Sequence, residues 1–256
     1  MLLAIDIGNT NISFGLSRGS RIIRTFNIPT QQYTLNKLKA KLGKIVPNDA
    51  IICSVVPKRT GLLSQNLKTL SGRKPYIIGK DIIVPIKNLY RDPKQAGQDR
   101  LVNAYTASKL YGTPLIAIDF GTAITFDVIS KKGEYLGGMI LPGLSMSLEA
   151  LNQRTALLPR IKLERPNDFI GKDTKNSMLS GIIYGFSSLT DELIMRIRKA
   201  VGQTSVAAAT GGNINLISKY CRRIDKIDKN LTLKGLNMLY LHLVPILSGA
   251  KPIANT

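Results

Sequence analysis

The stretch Ala4-Ile5-Asp6-Ile7-Gly8 decides the fold, because a close copy of it, Ala117-Ile118-Asp119-Phe120-Gly121, returns 113 residues later. Apolar residues precede each copy, and a second apolar stretch follows each one, at residues 12–17 and 124–130. Each copy therefore predicts a β-hairpin with an aspartate at the end of its first strand. An offset close to half of the 256-residue chain favours a duplicated architecture over a chance match.

The rest of the chain alternates helix-like and strand-like patterns, with no low-complexity segment and no obvious linker. The spacing of apolar residues predicts helices at 34–42, 61–70, 98–111, 145–151 and 176–200, and strands at 50–56, 75–78, 135–140 and 205–209. This alternation predicts an α/β protein made of two duplicated halves, residues 1–114 and residues 115–256.

The composition narrows the function. The chain has 36 Lys and Arg against 16 Asp and Glu, a formal net charge of +20. Such a charge favours an anionic partner, either a small anionic substrate or a nucleic acid. No DNA- or RNA-binding motif accompanies the charge, so the small substrate is the preferred interpretation.

Targeting and redox signals are also informative. The opening MLLAIDIGNT is typical of a first strand rather than of a signal peptide, and no apolar run is long enough for a membrane helix. The two cysteines, Cys53 and Cys221, are far apart in sequence, which favours a reducing cytoplasm over a disulfide framework. We therefore expect a cytoplasmic protein.

His242 is the only histidine and lies in the apolar stretch LYLHLVPIL, where a packed histidine is the preferred interpretation. A histidine-based triad or zinc hydrolase is then disfavoured, and a carboxylate is the expected general base of any enzyme.

The turn after Asp6 is the first candidate site. A strand-end aspartate can hold a hydrated Mg²⁺, and the N–H groups and polar side chains of a Gly-Asn-Thr-Asn turn can bind phosphates. Asn and Gly are also ordinary turn residues, so one copy alone does not decide between the two interpretations. The second copy, Asp119 to Ala123, strengthens the case, since two facing hairpins would enclose the phosphates of a nucleotide.

A second candidate lies in Gly97-Gln98-Asp99-Arg100, which opens a predicted helix. Asp99 can act as a base toward a hydroxyl, or only cap the helix. Arg100 can bind a carboxylate through two parallel hydrogen bonds, or only be a solvated charge. The glycine turns at 137–143 and 210–212 either let the backbone approach a ligand or are simple turns.

These motifs together resemble those of the type III pantothenate kinases. The matching segments are DIGNTN at 6–11, GQDRLVNAYTA at 97–107, DFGTAITFDVI at 119–129, GGMILPG at 137–143, SGIIYG at 180–185, ATGG at 209–212 and LTLKGL at 231–236. Their order and spacing cover essentially the whole chain. The resemblance implies an actin-like fold, that of acetate and sugar kinases, Hsp70 and actin, with a nucleotide cleft between two duplicated α/β halves.

The resemblance also implies an activity: phosphorylation of pantothenate by ATP to 4′-phosphopantothenate, the first step of coenzyme A biosynthesis. It implies a homodimer, with Mg²⁺ and a monovalent cation, K⁺ or NH₄⁺, as cofactors. The alternative is a basic, nucleic-acid-binding transcriptional accessory factor, supported only by the charge.

The resemblance assigns roles residue by residue. Asp99 matches the proton acceptor, Asp6 lies near Mg²⁺, Asp119 matches the site of the monovalent cation, and Thr174 contacts substrate across the dimer interface. The pantothenate-contacting positions are Tyr90, Gly97, Gln98, Asp99 and Arg100, and the ATP-contacting positions are Asp6, Ile7, Gly8, Asn9, Thr10, Asn11, Ile12, Ser13 and Thr122. Gln98 departs from the alanine that is usual in the family, which puts details of the pocket in doubt.

Overall fold

The computed structural model describes the backbone of residues 1–247 and the side chains of residues 1–244. In chain order the strands and helices are β1 (Leu2–Ile7), β2 (Asn11–Arg18), β3 (Arg21–Pro29), α1 (Leu35–Leu42), β4 (Asp49–Ser54), α2 (Pro57–Ser71), β5 (Tyr76–Ile77), α3 (Gln98–Tyr111), β6 (Leu115–Phe120), β7 (Ala123–Ile129), β8 (Tyr135–Pro142), α4 (Leu144–Arg154), α5 (Thr174–Val201), β9 (Val206–Thr210), α6 (Ile214–Ile217), β10 (Lys226–Ile227) and α7 (Leu231–Leu247).

The strands form two five-stranded sheets that share one topology. The first has the order β3-β2-β1-β4-β5, and the second, counted from the other edge, has the order β8-β7-β6-β9-β10. In both sheets the first three strands form an antiparallel meander, and the next two run parallel to the central strand. The Asp6 strand and the Asp119 strand hold equivalent central places, which confirms the duplicated α/β architecture.

The chain divides into two compact units. The first contains residues 1–86, residues 94–106 and the C-terminal segment from Leu231, and the second contains residues 87–93 and 107–230. The predicted boundary at residue 114 therefore does not coincide with these units, because α7 joins the first unit. These units do not test where the two duplicated halves of the sequence meet, so the division at residue 114 stays a prediction.

In the first unit, alternate residues of β1 and β2 pack on α1 and α2. Leu3, Ile5 and Ile7 form a core with Phe14 and Leu38. The opposite face of the sheet, which carries Asp6, is covered by α7. A Cβ atom at Gly15 would lie 3.3 Å from the side chain of Leu233, so the small residue allows α7 to pack closely.

In the second unit, one face of the sheet packs on α4 and α5 through Ile118, Phe120 and Phe126. Because side chains alternate along a strand, Asp119 and Asp127 lie on the opposite face. Both halves of the duplication therefore place an apolar face on helices and turn the strand-end aspartate to the other side.

Most of the predicted elements are confirmed, including the helix 98–111 at its exact bounds. Helix α2 begins at Pro57 rather than at the predicted residue 61, because proline is well suited to the first position of a helix. Strand β3 and helix α7 were not predicted. His242 is partly buried, and its Nδ1 lies 2.9 Å from the oxygen of Met238, one turn earlier in α7. Within residues 1–247, no helix combines the length and the apolar character that a membrane span requires.

Candidate active site

The turn between β1 and β2 is held from outside by Thr30. Gly8 N–H donates to the Asn11 carbonyl at 3.0 Å, which closes the turn. The Thr30 hydroxyl donates to the Gly8 carbonyl at 2.7 Å, and its N–H donates to the Thr10 carbonyl at 2.9 Å. Thr30 is buried, so these bonds hold the backbone while the side chains of residues 9–11 remain exposed.

Two predicted site residues, Asp6 and Asp99, both act electrostatically on the buried Cys53. Asp6 pairs directly with Cys53 across the parallel strands β1 and β4. Burial raises the pKa of the Cys53 thiol well above its ordinary value, and the negative charges of Asp6 and Asp99 raise it further. Residues that lie far apart in sequence thus influence one buried thiol, which stays neutral.

Asp99 lies in the first turn of α3. Burial raises the pKa of its carboxyl, although the N–H of Arg100, which donates to Oδ1 at 2.9 Å, and the Arg100 charge both act in the opposite direction. A Cβ atom at Gly97 would lie only 2.6 Å from this Oδ1, so Gly97 leaves the space that the carboxylate fills. A carboxylate with a raised pKa is what a general base near neutral pH requires.

Gln98, the residue that departs from the family pattern, packs over Gly79. Gly79 has a φ of +83°, and a Cβ atom there would lie 2.8 Å from Cδ of Gln98. The long side chain therefore takes the space above this glycine, and its contact is with the segment after β5.

The second hairpin is closed in the same way but is supported by different partners. Gly121 N–H donates to the Ala123 carbonyl at 3.1 Å, which matches the Gly8 bond of the first hairpin. Gly143 N–H donates to the Thr122 carbonyl at 3.1 Å. A Cβ atom at Gly143 would lie 2.1 Å from that oxygen, so the start of α4 requires glycine. The Thr122 side chain is exposed at the tip of the turn.

The Asp119 carboxylate is surrounded by glycine backbone. A Cβ atom at Gly211 would lie 2.4 Å from Asp119 Oδ1, and one at Gly121 would lie 3.3 Å from the same atom. Gly211 has a φ of +102°, a conformation that side chains rarely adopt. Thr210, the parallel partner of Asp119 in β9, is buried.

Tyr90 lies on the edge of the second sheet. Its ring is 5.5 Å from that of Tyr135, and a Cβ atom at Gly137 would approach its Cε1 to 3.0 Å. Thr174 lies elsewhere in this unit, exposed at the start of α5, where the preceding residue, Asp173, caps the helix by accepting a hydrogen bond from Asn176 N–H at 2.8 Å.

A cavity of about 770 Å³ in the second unit was not predicted. Its lining includes Gly212 and Asn213 after β9, Ser145 and Glu149 on α4, and the segment 160–163. The glycine turn at 210–212 was the only sequence signal for it. Its size is in the range of small-molecule sites, and Arg160 and Lys162 give it positive charge.

The donors fit a metal bound through a nucleotide better than a metal held by protein alone. Among residues 1–247, no group of three His, Cys, Asp or Glu side chains is arranged to hold a metal ion. Mg²⁺ is commonly bound by one or two carboxylates together with substrate phosphates, and Asp6 supplies a carboxylate beside an exposed turn.

The fold is shared with several solved proteins. The activator of the 2-hydroxyisocaproyl-CoA dehydratase from Clostridium difficile, with bound ADPNP, has a TM-score of 0.56 at 12% identity and covers 99% of both chains. A Baf family transcriptional activator from Campylobacter jejuni has a TM-score of 0.57 at 21% identity, with 93% of this chain and 96% of the other covered. Such low identity shows the fold alone. The chain is an α/β protein with the actin-like fold, as predicted.

Sequence comparison gives the family. The profile of the type III pantothenate kinases matches residues 2–196. Type III pantothenate kinases from Geobacter sulfurreducens and Moorella thermoacetica are 40% and 38% identical over 250 residues, which covers 94% of this chain and 98% of each relative. The chain belongs to the type III pantothenate kinase family and is therefore a kinase.

Proposed function

We propose that this chain transfers the γ-phosphoryl group of ATP to pantothenate and forms 4′-phosphopantothenate, the first step of coenzyme A biosynthesis. The observation that carries the proposal is that Asp6 and Asp99 both lie close enough to Cys53 for their charges to raise its pKa, in a chain of this family. One carboxylate ends a strand beside an exposed turn that can bind phosphates, and the other has the raised pKa of a general base.

Asp99 is the proposed proton acceptor. It takes the proton of the primary hydroxyl of pantothenate while the hydroxyl oxygen attacks the γ-phosphorus in line with the bond that breaks. Burial raises the pKa of Asp99 and so makes its carboxylate a stronger base. The lack of a side chain at Gly97 leaves room for Oδ1. Loss of the proton at this carboxylate completes the cycle after product leaves.

The first hairpin is the proposed phosphate site. Residues 6–13 form the proposed ATP site, and within it the turn residues Asn9, Thr10 and Asn11 offer exposed side chains and backbone to the phosphates. Mg²⁺ bound near Asp6 would neutralise charge that develops on the phosphate oxygens. Because Thr30 fixes this turn, its donors need little rearrangement when ATP binds, which favours catalysis by preorganised electrostatics.

Pantothenate is bound, in this proposal, by Tyr90, Gly97, Gln98, Asp99 and Arg100. Arg100 is buried, and a buried guanidinium is suited to the carboxylate of pantothenate. Gln98 packs over Gly79, so its effect on the pocket is set by how much of its amide remains available to substrate.

Thr122 is the proposed ATP contact of the second hairpin, and Asp119 the proposed ligand of K⁺ or NH₄⁺. The carboxylate of Asp119 lies close to Gly211 and Gly121, where the lack of side chains leaves its oxygens accessible to a large monovalent cation. The cavity beside Gly212 and Asn213 extends the proposal, because its size and its apolar residues, among them Leu148 and Leu216, suit the nucleoside part of ATP.

A homodimer is proposed, with Thr174 contacting substrate bound to the other protomer. Large apolar side chains are exposed near the start of α5: Leu157 is 91% exposed, Phe169 67% and Ile170 76%. The carbonyls of Phe169 and Gly171 accept hydrogen bonds from Ser180 and Ser177 of α5, which holds the segment on that helix. An ordered apolar surface of this kind favours association with a second copy.

The proposal also includes a cytoplasmic location, because the two cysteines lie far apart in sequence and favour a reducing compartment. It includes no binding of nucleic acid.

The direct test is an ATP-consumption assay with and without pantothenate, run in K⁺, in NH₄⁺ and without either. We expect turnover that depends on pantothenate and yields 4′-phosphopantothenate. A lack of pantothenate-dependent turnover in every condition would reject the assignment. Binding to DNA that weakens steeply with salt, without such turnover, would favour the accessory-factor alternative.

A further inference from the structure

Tyr90 owes its position to a buried pair that has no assigned role, Tyr135 and Asp127. Tyr135 is fully buried, and its hydroxyl donates to Asp127 Oδ1 at 2.8 Å. Asp127 is 1% exposed and also accepts a hydrogen bond from the Thr125 hydroxyl, at 3.1 Å to Oδ2. A buried carboxylate is costly unless donors satisfy it, so this pair holds the Tyr135 ring in one place.

The Tyr90 segment is built on the backbone of Tyr135. Tyr135 N–H donates to the Lys87 carbonyl at 2.8 Å, and Leu89 N–H donates to the Tyr135 carbonyl at 2.9 Å. Tyr90 N–H then donates to Oδ1 of Asn88 at 3.0 Å, in the same segment. One residue of β8 therefore fixes the chain on both sides of Asn88, immediately before Tyr90.

The side chain of Tyr90 is fixed from two directions. The Tyr135 ring lies 5.5 Å away at 44°, a tilted aromatic contact. Gly137, further along the same strand, has a φ of +120°, and only its missing Cβ leaves room for Tyr90 Cε1. A bulge between β7 and β8 separates Tyr135 from Gly137, and bulges commonly redirect side chains near active sites.

We infer that Asp127 and Tyr135 are positioning residues that act through Tyr90 and so set the affinity for pantothenate. The inference rests on the proposed function, in which Tyr90 contacts that substrate. Neither residue needs to touch pantothenate. The bond between them fixes the ring against which Tyr90 packs, and a displacement of Tyr90 weakens substrate positioning without changing the phosphate site.

Tyr135→Phe tests the inference, because it removes only the hydroxyl and keeps the ring and both backbone hydrogen bonds. We expect the KM for pantothenate to rise about three- to tenfold, with kcat and the KM for ATP within about twofold of wild type. Tyr240→Phe is the matched control, since it also removes a hydroxyl that donates to an aspartate, Asp49, at 2.7 Å. This bond is only partly buried, so the loss of thermal stability should be smaller, and the KM for pantothenate should stay unchanged.

A double-mutant cycle shows whether the effect passes through Tyr90. Tyr90→Ala alone should raise the KM for pantothenate, and adding Tyr135→Phe should then have almost no further effect on it. An equal effect of Tyr135→Phe in both backgrounds would overturn the inference. At Asp127, substitution by Asn keeps an acceptor for the hydroxyl and should restore most of the affinity that Asp127→Ala loses.

A second readout does not depend on turnover. The chain has no tryptophan, so Tyr90→Trp introduces a single tryptophan, which can be excited at wavelengths where tyrosine does not absorb. Acrylamide quenching of this reporter should increase when Tyr135→Phe is added and should not change with Tyr240→Phe. If Tyr90→Ala leaves the KM for pantothenate unchanged, the proposed role of Tyr90 fails, and quenching alone decides whether Tyr135 positions it. Unchanged quenching and unchanged KM in Tyr135→Phe would overturn the inference even if the proposed function stands.

Discussion

The hairpin of Asp6 and the hairpin of Asp119 occupy the same place in two sheets of identical topology, yet their surroundings differ. Each aspartate ends the central strand, and in each turn a glycine N–H closes back on the second strand, at 3.0 Å for Gly8 and 3.1 Å for Gly121. The first aspartate lies with a second carboxylate, Asp99, around a neutral thiol. The second lies against the backbone of Gly211 and Gly121.

This difference teaches that a duplicated backbone can place the same side chain in two different chemical settings. In the proposed function, Asp6 and Asp99 both act on one substrate complex, and two negative charges favour a divalent cation. A single carboxylate lined by backbone is less negative and suits a monovalent cation. The proposed function assigns a different cation to each strand-end aspartate, and the difference in their neighbours is what supports that assignment.

The largest expected effect is on kcat and concerns Asp99, the proposed general base, which belongs to neither hairpin. Asp99→Asn should lower kcat by about 10²–10⁴-fold, the usual contribution of a general base, with MgATP affinity retained. Because burial raises the pKa of Asp99, the fall of kcat/KM at acid pH in the wild type should begin above the range of an ordinary aspartate. A pH–rate profile and a nucleotide titration measure both.

The matched control is Glu192→Gln, which removes an exposed carboxylate paired with Arg196 on α5 at 2.7 Å. Exposed pairs of this kind contribute little, so turnover should stay close to wild type. Near-normal turnover of the Asp99→Asn variant would exclude Asp99 as the general base. The proposed phosphate site at the first hairpin would then have no assigned proton acceptor beside it.

The next effect concerns the second hairpin. We expect activity to require K⁺ or NH₄⁺, with Na⁺ a poor substitute, because oxygen ligands placed for K⁺ would be too distant for the smaller ion. Asp119→Ala should abolish the cation response together with most of the activity, while Asp119→Asn should leave a partial response. Initial rates in the three chloride salts at matched ionic strength provide the measurement.

Two glycines sharpen this test. An alanine Cβ at Gly211 would lie 2.4 Å from Asp119 Oδ1 and would force a strained backbone, whereas one at Gly121 would lie 3.3 Å away. Gly211→Ala should therefore weaken the K⁺ response strongly and Gly121→Ala only slightly. Equal wild-type rates in Na⁺, K⁺ and NH₄⁺ would refute the monovalent site and remove the proposed difference between the hairpins.

A smaller effect is expected at the first hairpin. Asp6→Asn should weaken MgATP binding by about tenfold, because one ligand charge near Mg²⁺ is lost, while the KM for pantothenate stays near its wild-type value. Cys53→Ala is the control, since it changes the neighbouring buried side chain without changing charge. Isothermal titration with MgATP distinguishes them, and unchanged affinity in Asp6→Asn would count against the divalent role.

The strands and helices that were predicted correctly are those that depend on the pattern of residues close together in sequence. Strand alternation around Asp6 and Asp119 and the helix after Gly97 are each encoded within a few residues, and the structure places them as expected. The pairing of Asp6 with Cys53 and the contact of Tyr90 with Gly137 join distant segments, so no local periodicity could reveal them. The return of α7 to the first sheet was missed for the same reason, since its packing is set by small residues such as Gly15.

The smallest effect is one of stability, and it has opposite signs at two carboxylates. Burial raises the pKa of Asp99, so the native state binds this proton more tightly than the unfolded chain does, and stability falls as pH rises from about 4 through the raised value. Above that window the ionised Asp99 is destabilising, and Asp99→Asn should unfold at a higher temperature than wild type at pH 7.

For Glu134, the hydrogen bond from Lys87 lowers the pKa, so the contribution of Glu134 to stability is present at neutral pH and is lost as pH falls. Glu134→Gln should therefore be slightly less stable than wild type at pH 7. Thermal unfolding at pH 7 and at about pH 4 measures both differences, which should shrink at the lower pH. A wild type more stable than Asp99→Asn at pH 7 would mean that the attraction of Arg100 outweighs burial and lowers the pKa of Asp99. Asp99 would then be a weaker base than the proposed reaction needs.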